Sequence, residues 1–117
     1  MRILVVDDDR LLRDMLARLL SVVGHEAECA TDGQDARGIL CASAQWDLVI
    51  TDCDMPREKG IELLGAIRAG ETAARADLPV IMISGNDHES EATAAGAGFL
   101  EKPFVIDDLL RLVEQAA

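Results

Sequence analysis

Apolar residues in this chain fall in short unbroken runs, separated by longer stretches in which they recur every three or four positions. The runs "RILVV" (2–6), "WDLVIT" (46–51) and "LPVIMIS" (78–84) predict strands covered on both faces, because each is nearly continuous rather than alternating. "EAECA" (26–30) and "AGFLE" (97–101) are weaker strand candidates. Between the first two strands, "LLRDMLARLLSVVG" (11–24) sets Leu12, Met15, Leu16, Leu19 and Leu20 at helical spacing, and Gly24 supplies a stop. Further helices are expected over 32–43, 60–70, 88–96 and 105–117. Five strands alternating with five helices predict an α/β fold: a doubly wound, five-stranded parallel sheet with helices on both faces and right-handed crossovers. A length of 117 residues, with no internal repeat or linker, predicts one domain over 1–117 with a real core.

Composition narrows the class. Half the residues are hydrophobic, which excludes a disordered chain. No apolar run approaches the ~18 residues of a membrane span. The opening apolar run is cut off by Asp7, Asp8 and Asp9, unlike a signal peptide. A formal net charge of −11 argues against direct binding to nucleic acid or an anionic membrane, and is compatible with a cation or a basic partner. Cys29, Cys41 and Cys53 are odd in number and lack metal-ligand spacing. They are expected to be reduced, small and partly buried apolar residues of a cytoplasmic protein. Lysine is scarce, with only Lys59 and Lys102 among eleven basic residues.

In a doubly wound sheet, ligands bind beyond the carboxyl ends of the strands. The residues there are "DDD" (7–9), "TDCDMP" (51–56), "SGN" (84–86) and "EKPF" (101–104). Singly these read as helix caps, first-turn charges or a solvated turn lysine. Together they bring carboxylates, a hydroxyl and a lysine to one rim. Carboxylate oxygens suit Mg²⁺, which is commonly held by one or two carboxylates with water and phosphate oxygens. An aspartate beside such a cation can act as a nucleophile toward phosphorus, with Lys and Ser steadying the transferred oxygens.

The stretches "ILVVDDD", "DGQDA", "WDLVITDCDMP" with Gly60 eight residues after Asp52, "PVIMIS" and "FLEKPF" resemble the receiver domain of two-component response regulators. The resemblance covers essentially the whole chain. It implies a flavodoxin-like sheet of strand order 2-1-3-4-5. It implies Asp52 as phosphoacceptor. For Mg²⁺ it implies Asp8 and Asp52 as direct ligands together with the backbone carbonyl of Asp54, and Asp7 acting largely through water. Lys102 matches the phosphate-binding lysine, Ser84 the switch hydroxyl and Phe99 the switch aromatic. A cis Lys102–Pro103 peptide is implied as well. Asp9 would lie outside the metal shell, facing the start of the first helix. The implied partners are a histidine kinase or histidine phosphotransfer protein and a downstream protein target, with the receiver a monomer or weak dimer.

Some positions depart from the family pattern. Asp54 adds a carboxylate where the family varies, either near the water that hydrolyses the phosphoryl group or out in solvent. Phe99 replaces the more frequent tyrosine. Ser84 and Lys102 are about one helical turn closer in sequence than usual, so the fourth helix is expected to be short, which puts the family's usual dimer surface in question. No output domain follows the last helix, so action through protein contacts or phosphate relay is expected. A piece of a longer regulator would read the same. Two other readings remain. "DCD" (52–54) also occurs in haloacid-dehalogenase-type phosphatases, although there the acidic pair comes last and here it comes first. A pseudo-receiver would keep the fold and take no phosphate. On the first helix, Leu12, Leu16 and Leu20 should face the sheet, and Leu11, Met15 and Val22 should lie to one side, partly exposed, as a kinase-docking edge.

Overall fold

A computed structural model describes residues 1–54, 59–85 and 89–116. Its elements run β1 (Arg2–Val6), α1 (Arg10–Val22), β2 (Glu26–Ala30), α2 (Gly33–Ala42), β3 (Leu48–Asp52), α3 (Gly60–Arg68), β4 (Val80–Ser84), α4 (Glu89–Ala94), β5 (Gly98–Glu101) and α5 (Ile106–Ala116). All neighbouring strands pair in parallel, in the order β2-β1-β3-β4-β5. The expected fold, strand order and short fourth helix are all present, α4 having six residues. Met55, Pro56, Asn86, His88 and Ala117, which belong to the expected rim stretches and helices, lie outside the described residues.

Successive strand residues point to opposite faces, and the core divides accordingly. Leu4, Val6, Val49, Val80 and Met82 pack with Ala36 and Leu40 of α2, Leu63, Leu64 and Ile67 of α3, and Ala92 of α4. Ile3, Val5, Ile50, Ile81 and Ile83 pack with Leu16 and Leu20 of α1 and Leu109 and Val113 of α5. β1, β3 and β4 are nearly continuous apolar runs because both faces are covered, with polar residues only at their ends. β2 lies at an edge and has mixed exposure, which is why its sequence reads weakly.

Two expectations need correction. The third and fourth strands begin at Leu48 and Val80, each two residues later than expected. Trp46 is buried, but in the loop before β3, where the Arg2 guanidinium lies 4.8 Å from its ring centroid. Its apolar character therefore reflects burial and not sheet pairing. Of the three free thiols, only Cys53 is buried, while Cys29 and Cys41 are exposed on β2 and the last turn of α2. Among the described residues, no helix is long and apolar enough to cross a membrane.

Candidate functional site

The site grows from the carboxyl ends of the strands. β1 ends at Val6, and the Asp7 amide donates to the Ala30 carbonyl at 3.3 Å, which carries the β1–β2 ladder one residue further. The next turn is fixed by the aspartates. The Asp7 carboxylate accepts from the Asp9 amide at 2.8 Å, and Asp9 caps α1 by accepting from the Leu11 amide at 3.0 Å. An N-cap carboxylate satisfies an amide that the helix leaves without a partner. Asp9 thus faces α1, as expected. Arg13, one turn into α1, donates to the Asp7 carbonyl at 2.8 Å.

Asp52 is the last residue of β3, and its carboxylate accepts from the Asp54 amide at 3.2 Å. Gly60 lets α3 approach closely at this end. A Cβ there would press on the Asp52 carbonyl and lie 2.9 Å from the Met82 methyl. The Lys102 amide donates to the Ser84 carbonyl at 2.8 Å, which carries the β4–β5 pairing past Glu101. The Lys102 ammonium then reaches Asp52 at 3.4 Å. The Lys102–Pro103 peptide is cis.

Asp7, Asp8 and Asp52 offer carboxylate oxygens that all lie within 4.8 Å of one another. Asp7 and Asp52 are buried and Asp8 is exposed. Burial pushes the Asp7 carboxyl up to about 6. The Asp52 and Asp8 charges push the same way, while the Asp9 amide and Lys102 oppose them. The Asp52 carboxyl is also raised, chiefly by burial, against the pull of the Asp54 amide and Lys102. Such a cluster is held at a cost that a cation between the carboxylates would offset. A donor set made only of carboxylate oxygens fits a hard cation such as Mg²⁺. Beside it, burial and the Asp54 and Asp52 charges push the Cys53 thiol up to about 11. It therefore stays protonated and is a poor nucleophile.

Ser84 is 0% exposed and follows Val80 and Met82 on the face covered by α2, α3 and α4. Its hydroxyl donates to the Asp54 carboxylate at 3.0 Å. Asp54 therefore does not simply point into solvent. Half-buried Phe99, paired in register with Met82, packs against the same core face. The structure thus brings Asp7, Asp8, Asp52 and Lys102 into one cluster, with Ser84 and Phe99 behind it. The contacts of Arg13 and of the Asp54 side chain were not anticipated. Arg13 sits one turn from the Asp9 cap, a helical spacing that carries a usable signal. Asp54 and Ser84 are thirty residues apart, and no local pattern links them.

A family model described as the response regulator receiver domain matches residues 3–114. The response regulator MprA of Mycolicibacterium vanbaalenii is 42% identical over 113 residues, covering 93% of this chain and 47% of that protein. The chain spans about half the length of the curated relatives it matches. A response regulator receiver protein from Pseudomonas putida superposes with a TM-score of 0.88 at 35% identity, over 97% of this chain and 95% of that one. The Thermotoga maritima response regulator TrrA, solved in complex with Mg²⁺ and beryllofluoride, gives a TM-score of 0.85 at 31% identity, over 99% of this chain and 98% of that one.

Proposed function

The chain belongs to the response regulator receiver domain family, and from that premise we propose that Asp52 accepts a phosphoryl group from a phosphohistidine. The donor is a histidine kinase or a histidine phosphotransfer protein. The observation that carries this reading is the convergence of Asp7, Asp8 and Asp52, with Lys102 at 3.4 Å from Asp52. Receiver membership makes the chain a signalling domain, and the order of its acidic residues separates it from haloacid-dehalogenase-type phosphatases. We read its 117 residues as one phosphoacceptor unit.

Asp8, Asp52 and the Asp54 backbone carbonyl would hold Mg²⁺ directly, with Asp7 acting through water. Bound there, the ion would screen the carboxylates from the incoming phosphoryl oxygens. An Asp52 carboxylate oxygen attacks phosphorus while the phosphorus–nitrogen bond breaks, and the bonding electron pair returns to the imidazole. The Lys102 ammonium pairs with a phosphoryl oxygen, and the Ser84 hydroxyl donates to another. Water later returns carboxylate and inorganic phosphate. Drawing Ser84 toward the rim frees space on the face it shares with Phe99, and the ring turns inward. This changes the surface offered to a downstream protein.

Docking is assigned to α1 and the neighbouring turn after β5. Leu11 and Val22 are 81% and 79% exposed and Met15 is 45% exposed, while Leu16 and Leu20 are buried. A groove lined by Leu12, Met15, Lys102, Pro103 and Phe104 leads from this edge to the site.

Incubation with acetyl phosphate and Mg²⁺, followed by mass-spectrometric mapping, tests the assignment. Labelling is expected at Asp52 alone and should vanish in Asp52→Asn. Undiminished labelling of that variant would remove Asp52 from the mechanism.

A further inference from the structure

We propose that the Asp54 carboxylate is a positioning residue that latches the Ser84 hydroxyl in the unphosphorylated receiver, so that phosphorylation must break this bond before the switch can move. The inference rests on the reading of Asp52 and Ser84 given above. It starts from one contact: Ser84 donates to the Asp54 carboxylate at 3.0 Å. Ser84 also lies within hydrogen-bonding reach of the Cys53 thiol, but a buried hydroxyl favours its strongest acceptor, since losing that bond in the interior carries a desolvation cost. A hydrogen bond to an ionised acceptor is stronger than one to a neutral group.

The geometry makes this partner consequential. Ser84 ends β4, and its carbonyl is already taken by the Lys102 amide, so its backbone is fixed and the hydroxyl is the part left to reorient. Asp54 lies two residues past the phosphoacceptor, and its amide is anchored on the Asp52 carboxylate. One residue therefore reads both groups, the acceptor through its backbone and the switch hydroxyl through its side chain. A phosphoryl group on Asp52 competes with the Asp54 carboxylate for the same proton donor. The carboxylate also opposes the phosphoryl group as a like charge. Hydroxyl competition and charge repulsion can be separated, because only the first requires Ser84.

A double-mutant cycle separates them, with beryllofluoride plus Mg²⁺ as the phosphoryl mimic and binding read by NMR titration. Asp54→Ala should tighten binding in the parent protein. It should do so by about fivefold less in a Ser84→Ala background, where there is no latch to release. Asp54→Asn keeps an acceptor oxygen without the charge and should fall between the parent and Asp54→Ala. Asp54 is exposed, so these variants should fold, and unchanged urea midpoints within about 1 kcal/mol check this. Equal tightening in both backgrounds, or Asp54→Asn matching Asp54→Ala, would reduce the effect to charge alone and overturn the latch. No binding of the mimic by the parent protein would overturn the phosphoacceptor reading and the latch with it. Binding that is lost in Asp52→Asn but shows no coupling to Ser84 would overturn the latch alone.

Discussion

At the scale of single residues, the site is a compromise between burial and charge. Asp7 is almost wholly enclosed, yet the proposed cation role would need it ionised. Its carboxyl titrates near 3.8 in an unfolded chain and near 6 in the folded one. Between those values the folded state holds a proton that the unfolded state has lost. Stability of the metal-free protein should therefore fall as pH rises through this window, by on the order of 2–3 kcal/mol. Below it the destabilisation is absent, and above about 6 it is complete. Asp52 shifts in the same direction and adds to the slope. Urea denaturation with a chelator present, between pH 4 and 7, should show the decline, and Asp7→Asn should flatten it. A slope unchanged by Asp7→Asn would locate the titrating group elsewhere. The carboxylates, the lysine and the serine were legible in the sequence because each sits at or just past the end of a strand, and strand ends converge on one rim. The Ser84–Asp54 contact was not legible, since it joins residues thirty apart that meet only because β3 and β4 pair in the sheet.

At the scale of elements, the same contrast recurs. β1, β3 and β4 declare themselves as continuous apolar runs because both their faces are covered, while β2 and β5 lie at the sheet edges and read weakly. Trp46 shows how burial in a loop mimics a strand residue. α1 divides its apolar residues between two duties. Leu16 and Leu20 are enclosed under the sheet, and Leu12 is half-buried against the same cluster. Leu11, Met15 and Val22 stay exposed, although a fold built for stability alone would gain from burying or replacing them. Leu11→Ala removes little buried area and Met15→Ala about half a side chain's, so the first should change stability by under about 0.5 kcal/mol and the second by about 1 kcal/mol. Labelling by acetyl phosphate should be unaffected, because the small donor needs no docking surface and the proposed acceptor, Asp52, is left intact. Phosphotransfer from the cognate kinase should slow by roughly tenfold or more if these side chains are docking anchors. Comparing the two donors on one variant separates docking from chemistry. Equal rates from the kinase in parent and variants would exclude this edge of α1.

At the scale of the molecule, a net charge of −11 means that a cation bound at the proposed site would contribute to stability as well as to chemistry. Like charges gathered at one rim raise the free energy of the folded state relative to the expanded chain. A cation that binds only the folded site stabilises it by mass action, by ~1.4 kcal/mol at ten times its dissociation constant. For a domain of this size that corresponds to a rise in melting temperature of about 5 °C. The rise should be specific to the site, and sodium chloride at matched ionic strength should reproduce only the part due to general screening. Two neighbouring substitutions then discriminate between position and charge. Asp8 belongs to the carboxylate cluster, whereas Asp9 is committed to capping α1. Asp8→Asn should raise the melting temperature of the metal-free protein and abolish most of the Mg²⁺-induced rise. Asp9→Asn removes the same charge but keeps a good capping side chain, so it should leave the Mg²⁺ response nearly intact. Thermal melts of the parent and both variants, across a Mg²⁺ titration, measure this directly. Equal loss of response in the two variants would mean that total charge, not the geometry of Asp7, Asp8 and Asp52, governs the ion.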